Sequence, residues 1–273
     1  MEKYDLCVIG GGPAGYAAAM RAIDFEKKVI LIEKEKLGGA GIYDGALSSK
    51  TMWELSTRYR KVQEDLSRSG AKKLDISFKD VKASIEEAVF DRKFQLTCHL
   101  RIIHAETNAI VYEKGIASFI SDKEIKITKS NGREEIIYAE HTIVSSGSHP
   151  RKLPKVEVDE KIIMTSNGIE HLDEFPKSLV IVGAGVIGCE YATIFANFGK
   201  TKVHLIDRAK RILPFEDEDV SALISKNMEK EGVVIHRKAN LKRIEVKNGM
   251  VEYEIENENG EIEVIEVEKA LLS

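Results

Sequence analysis

The sequence predicts an α/β protein built from two parallel-sheet units, with a small antiparallel β-meander inserted in the first. Three observations carry that prediction. A strand, glycine turn, helix, strand and acid follow one another at the start of the chain. The same succession recurs at residues 178–207, and between the two copies the apolar period shifts from three or four residues to two.

The opening unit spans Asp5 to Glu33. Leu6, Cys7, Val8 and Ile9 form a short apolar run suited to a strand buried on both faces. Gly10, Gly12 and Gly15 then hold the G-x-G-x-x-G spacing, in which the first glycine turns tightly, the second admits a pyrophosphate and the third lets the helix lie close on its strand. Pro13 suits the first helical turn, where a missing N–H costs nothing. The helix presents free N–H groups and the positive end of its dipole. Val29 to Ile32 form the second strand. Glu33, 23 residues after Gly10, stands where an acid accepts from a ribose 2′-hydroxyl. Together these elements predict a Rossmann-like dinucleotide-binding fold.

Residues 34–50 are rich in glycine and serine, yet Leu37, Ile42, Tyr43, Ala46 and Leu47 predict a packed loop. Helical patterns follow over residues 50–67 and 78–104. From Ala109 the period becomes two, predicting short strands at 110–112, 118–120, 124–128 and 134–138, with Ser130-Asn131-Gly132 as a hairpin turn. Residues 141–148 read as another buried strand ending in small residues. Pro150, Pro154 and Pro176 punctuate the expected crossing between domains.

Residues 178–207 repeat the opening unit. Leu179 to Val182 and Val203 to Ile206 are its strands, Gly183, Gly185 and Gly188 keep the spacing, and Asp207 lies 24 residues after Gly183. Beyond it a helix over 220–232, a short strand and a hairpin at 251–255 and 262–267 are expected. The alternating glutamates from Glu252 to Glu266 read as a solvated sheet face.

The chain has 273 residues, enough for two cores. Its formal net charge of −4 and the want of a basic stripe argue against a nucleic-acid partner. Acids flank the apolar start and no run reaches transmembrane length, so a cytoplasmic protein with no membrane partner is expected. Cys7, Cys98 and Cys189 fit no metal or disulfide spacing and read as small buried hydrophobes.

Two tandem dinucleotide folds with a meander in the first resemble the flavoproteins of the pyridine nucleotide-disulfide oxidoreductase family, which includes dihydrolipoamide dehydrogenase and soluble pyridine nucleotide transhydrogenase. The segment TIVSSGSHPRKLP at 142–154 is similar to the family's exit from the flavin domain, and GAGVIGCEYA at 183–192 to its nicotinamide fingerprint. The resemblance implies an FAD-binding domain over 1–150, lacking its C-terminal return segment, and an NAD(P)-binding domain over 151–273, truncated in its last strand. By the same resemblance FAD is held around Gly10, Gly12, Pro13, Ala14, Gly15, Glu33, Lys34, Gly39, Ala40, Ser49, Lys50, Ala117, Ser146 and Gly147. The nicotinamide cofactor is held around Gly183, Gly185, Val186, Ile187, Gly188, Glu190, Asp207 and Arg208. An acid at 207 favours NAD(H), and Arg208 beside it leaves NADP(H) open. Lys50 matches the lysine beside the flavin ring and Glu190 its carboxylate partner, the pair expected to be catalytic. No metal is expected, and full-length relatives are homodimers.

Two departures from the family pattern bear on activity. Where the disulfide reductases carry their redox cysteines this chain has Gly41 and Ala46, neither of which can form a thiolate. The resemblance also leads to the expectation that the relatives' dimerisation domain is absent. The expected function is hydride transfer from NADH, or NADPH, through flavin to a non-disulfide acceptor in a transhydrogenase-like reaction. The alternatives are a truncated or inactive dinucleotide-binding remnant, and a dihydrolipoamide dehydrogenase, which Gly41 and Ala46 argue against.

Overall fold

Alternation of apolar strands with helices of three- and four-residue period organises the computed structural model, which describes residues 1–43, 45–151 and 156–273. Its chain divides into a first unit of residues 1–48 and 86–149 and a second of residues 49–85 and 150–273. Pro154, expected in the crossing between domains, lies outside the described residues.

In the first unit, β1 (Lys3–Ile9) pairs in parallel with β2 (Val29–Glu33), Leu6 facing Val29 and Ile9 facing Ile32. Between them runs α1 (Pro13–Asp24), an alanine-rich helix with Pro13 in its first turn and Gly15 and Ala19 buried. It ends at Phe25 and Glu26, the latter at φ 58°. The loop at 34–50 is packed as expected: Leu37 and Ile42 are buried against Leu6, Val8 and Leu31. Regular helix resumes earlier than the pattern indicates, in α2 (Ala46–Ser69), and α3 (Phe78–Thr107) follows.

The meander departs from the expected four short strands. Residues 110–112 and 118–120 are one strand, β3 (Ile110–Phe119), followed by β4 (Glu124–Lys129) and by β5 (Glu134–Val144), which runs on through the predicted break at 139–140. Each long strand serves two pairings. Ile110 to Lys114 pair in parallel with β2, and Gly115 to Phe119 pair antiparallel with β4. Likewise β5 pairs antiparallel with β4 and then in parallel with β1 out to Ile9 and Val144. The five strands thereby close into a barrel. The handover in β3 falls at Gly115, where a Cβ would lie 2.9 Å from Thr128 O; glycine allows the bend that sequence alone reads as a break. Tyr4, Cys7, Ile30, Ile32, Ile125, Ile127, Ile137 and Ala139 fill the interior. The buried strand expected over 141–148 needs correction: regular structure stops at Val144, and Ile143 and Val144 are 40% and 59% exposed.

The second unit contains a five-stranded parallel sheet in the order β6 (Ile163–Met164), β13 (Lys269–Leu272), β7 (Ser178–Val182), β8 (Lys202–Ile206) and β9 (Val234–His236). Its helices are α4 (Ser166–Ile169), α5 (Val186–Phe198) and α6 (Glu218–Lys230), and the unit also holds residues 49–69 of α2 and 78–85 of α3. Beside it lies an antiparallel sheet of β10 (Asn240–Lys247), β11 (Met250–Glu256) and β12 (Ile262–Val267). β10 was hidden in the sequence by its charges. The glutamates alternate with buried Val251, Tyr253 and Ile255 on the outward face, as expected, and part of that face is ion-paired: Arg243 and Lys247 of β10 bind Glu252 at 2.6 and 2.7 Å, and Lys242 binds Glu256 at 2.5 Å. From 49–85, Ser56 accepts from Asn197 at 3.2 Å, and Phe78 meets Phe175 edge-on. No described helix is long and apolar enough to cross a membrane.

Candidate functional site

The three glycines of the first turn are needed for three different reasons. Gly10 sits at φ 105°, a region that favours glycine, and a Cβ there would lie 2.7 Å from the Ser145 carbonyl carbon. Gly15 faces the turn from α1, where a Cβ would lie 2.5 Å from Ser145 Oγ and nearer still to Gly10 O. Gly12 has ordinary dihedrals of −70° and −175°, and its Cβ would meet nothing within 4 Å. Nothing in the chain requires glycine at 12. What the bare backbone provides is an open approach to the start of α1, which has no side-chain cap, whereas Thr165 and Asp217 cap α4 and α6. Uncapped N–H groups at the positive end of a helix dipole suit a phosphate.

The acid of this turn is held in place. Glu33, 8% exposed, accepts from Gly11 N at 2.6 Å through Oε2 and from Glu35 N at 2.8 Å through Oε1. Each oxygen keeps a lone pair for one further donor, as a ribose hydroxyl would be. Ser145 completes the frame, its Oγ lying 3.0 Å from both Ile9 O and Gly10 O.

The second copy repeats this frame almost atom for atom. Gly183 sits at φ 108°, and a Cβ on Gly188 would lie 2.7 Å from Ser273 Oγ. Gly185, at −76° and −170°, again meets nothing within 4 Å and heads an uncapped helix, α5. Asp207 accepts from Ala184 N and from Ala209 N, each at 2.7 Å. Ser273 Oγ lies 3.1 and 2.9 Å from Val182 O and Gly183 O. Both sets of residues therefore fit the ADP part of a dinucleotide.

Gly11, Ala184, Ser145 and Ser273 escaped the sequence reading, which chose Ser146 and Gly147 instead; these two are exposed beyond the end of β5. The missed signal was a serine directly after the strand that borders each glycine turn. Of the remaining expected residues, Pro13, Ala14, Val186 and Ile187 are exposed at the starts of α1 and α5. Gly39 approaches Gly12, where its Cβ would lie 3.2 Å from the Gly12 Cα, and Ala40 beside it is exposed. Lys34 is engaged in an ion pair with Glu35 at 3.2 Å. Ala117 lies in β3 opposite Ile127, half-buried against the barrel interior. Arg208 is exposed, beside Asp207.

Lys50 and Glu190, 140 residues apart in sequence, meet in the second unit. Lys50 Nζ donates to Glu190 Oε1 at 2.5 Å, and Ser49 Oγ donates to the same oxygen at 3.2 Å. The Glu190 side chain is 14% exposed and that of Lys50 64%.

The loop before Lys50 offers no thiol. Gly41 belongs to a single 3-10 turn (Gly39–Gly41) packed on the Pro13 ring, and a Cβ at 41 would lie 3.1 Å from Pro13 Cδ and closer to Cγ. Ala46 opens α2. The three cysteines are free; burial pushes the Cys7 and Cys189 thiols up to about 12, leaving them protonated at neutral pH. Cys98 is only half-buried.

Comparison with known proteins places this geometry among relatives. A family model described as pyridine nucleotide-disulphide oxidoreductase matches residues 4–273. A dihydrolipoyl dehydrogenase of Bacillus subtilis is 38% identical over 88% of this chain and 52% of its own length. The leghemoglobin reductase of Glycine max is 30% identical over 100% of this chain and 52% of its own. Among solved structures, the Cu(II) complex of RclA, an HOCl-induced flavoprotein disulfide reductase from Escherichia coli, superposes with a TM-score of 0.82 at 26% identity. That match covers 100% of this chain and 56% of the other. LpdA from Mycobacterium tuberculosis shares the fold, with a TM-score of 0.86 at 24% identity over 100% of this chain and 58% of that one. The chain thus spans about half the length of the curated relatives it matches.

Proposed function

The chain belongs to the pyridine nucleotide-disulphide oxidoreductase family, and from that premise we propose that it carries hydride from NADH through FAD to an acceptor that is not a disulfide. Members of the family bind FAD and NAD(P)H. When bound, the flavin supplies the hydride-accepting and electron-releasing chemistry. The chain's own residues bind and orient. FAD is assigned to the frame of Gly10, Gly12, Gly15 and Glu33, the nicotinamide nucleotide to that of Gly183, Gly185, Gly188 and Asp207. The preset carboxylate of Asp207 supports NADH, since it would repel a 2′-phosphate. Lys50 and Glu190 match the lysine and glutamate that the family pairs for the hydride step, and their hydrogen bond at 2.5 Å supports that role.

The observation that carries the choice of acceptor is the packing of Gly41 on Pro13, together with Ala46: the loop that relays electrons to thiols in the disulfide reductases has none here. NADP+, a quinone or oxygen are the acceptors proposed in place of a disulfide, the first giving a transhydrogenase-like reaction. A dinucleotide-binding protein without turnover is the second reading, favoured by the same missing thiols. Visible spectra of the purified protein, recorded anaerobically before and after NADH and then NADPH, separate the two. Bleaching of the flavin band by NADH, more readily than by NADPH, is expected. Bound flavin that neither nucleotide bleaches supports the second reading, and a protein that takes up no flavin overturns both the first and its cofactor assignment.

A further inference from the structure

A cavity of about 590 Å³ opens in the first unit between the loop after β2, the C-terminal half of α3 and the first half of β3. It adjoins the glycine frame without including it: Glu35 and Leu37 of its lining neighbour Glu33 and Gly11, but none of Gly10, Gly12, Gly15, Glu33, Ala117 or Gly147 lines it. Its floor is apolar, made by Leu37, Leu100 and Ile110, and Tyr43 and Tyr112 stand at its walls. Four cations surround it: Lys36, Lys93, Arg101 and Lys114. None of the four forms an ion pair with a carboxylate among the described residues; Lys36 rests over the Tyr43 ring, its Nζ 4.7 Å from the centroid. The acid lining the cavity, Glu35, is already bound to Lys34.

Four unpaired cations around one hollow repel one another, and in a chain of net charge −4 no general excess of basic residues accounts for them. A polyanion removes that repulsion, with arginine and lysine both suited to phosphate oxygens. A planar group suits the tyrosines and the aliphatic floor, and the volume is that of a small-ligand pocket. We infer that this cavity is a further nucleotide site, taking a mononucleotide with two or more phosphates, the base against Tyr112 and the apolar floor and the phosphates among Lys36, Lys93, Arg101 and Lys114.

The test titrates ADP calorimetrically into the full chain saturated with FAD and NAD+, so that ligands of the two glycine frames are in excess. One ADP is expected to bind, with adenosine and inorganic phosphate each at least tenfold weaker. The Lys93→Ala/Arg101→Ala double variant is expected to weaken ADP at least tenfold without changing the circular-dichroism melt, because both side chains are exposed and unpaired. The inference is overturned if saturating FAD and NAD+ abolish ADP binding, if the double variant binds ADP as the parent does, or if phosphate alone binds as tightly as ADP. A chain that takes up no FAD would defeat the proposed function yet leave this test readable, as the loss of one ADP from the calorimetric stoichiometry in the double variant.

Discussion

Gly12→Ala and Gly15→Ala lie three residues apart in one turn, yet the structure predicts opposite outcomes for them. A Cβ at 15 falls 2.5 Å from Ser145 Oγ, about 1 Å inside ordinary contact, and closer still to the Gly10 carbonyl. Neither neighbour can give easily, since the first is pinned to Ile9 O and Gly10 O and the second is backbone. α1 must withdraw from its sheet by about 1 Å, loosening Ala19, Tyr16, Met20 and Ile23 against Val8 and Leu31. Such overpacking costs about 3 kcal/mol. Against it stands the gain of about 1 kcal/mol for alanine over glycine in a helix, leaving a net loss of about 2 kcal/mol. At 12 the dihedrals are ordinary and the space is empty. The entropic gain of about 0.5 kcal/mol roughly cancels alanine's disadvantage as an N-cap, so stability stays within about 0.5 kcal/mol of the parent. FAD affinity, however, falls at least tenfold, because the methyl group occupies the approach to the helix N-terminus. Urea unfolding followed by circular dichroism reads the first quantity, and FAD titration by flavin fluorescence the second. A Gly12→Ala protein that loses 2 kcal/mol, or one that binds FAD like the parent, would refute the assignment of this turn.

Three further outcomes follow from the same geometry. Glu190→Gln should move stability by less than about 1 kcal/mol, since Lys50 is largely exposed, while stopped-flow reduction of flavin by NADH slows at least tenfold; an unchanged rate would remove the pair from the reaction. Burial, with His236 3.1 Å away, lowers His204 from 6.5 to about 4. Its folded state therefore disfavours the proton that the unfolded state accepts. The stability this confers is present above pH 6.5 and lost as pH falls towards 4, by up to about 3 kcal/mol; urea midpoints between pH 7 and 4.5 should fall more steeply in the parent than in His204→Gln. Gly41→Cys should destabilise the first unit by about 1–3 kcal/mol through collision with the Pro13 ring. Pro13→Ala should relieve it in a double-mutant cycle, and additive losses would show that the ring is not the obstacle.

The sequence by itself determined the two glycine turns, their acids and the strands that border them, because each rests on local rules: a positive φ that only glycine takes readily, a close helix–strand approach, and an apolar run of strand length. It also excluded thiol chemistry in the loop before Lys50, since Gly41 and Ala46 carry no sulfur. The meander was misread where one strand serves two sheets. The charged residues Glu113 and Lys114 before Gly115 look like a loop, and only the pairing with β2 and then β4 makes them strand. Equally, β10 is polar enough to pass for loop until Arg243 and Lys247 find Glu252 across the ladder. The exposure of Ile143 and Val144 belongs to tertiary structure as well, because an apolar run reveals strand tendency but not which faces are covered. Ser145 and Ser273 became visible only in space: they brace glycine turns 135 and 90 residues away in sequence, and no local period records a contact of that range. The same is true of the bond from Lys50 to Glu190, which resemblance suggested and which the folding of residues 49–85 onto the second unit brings to hydrogen-bond distance.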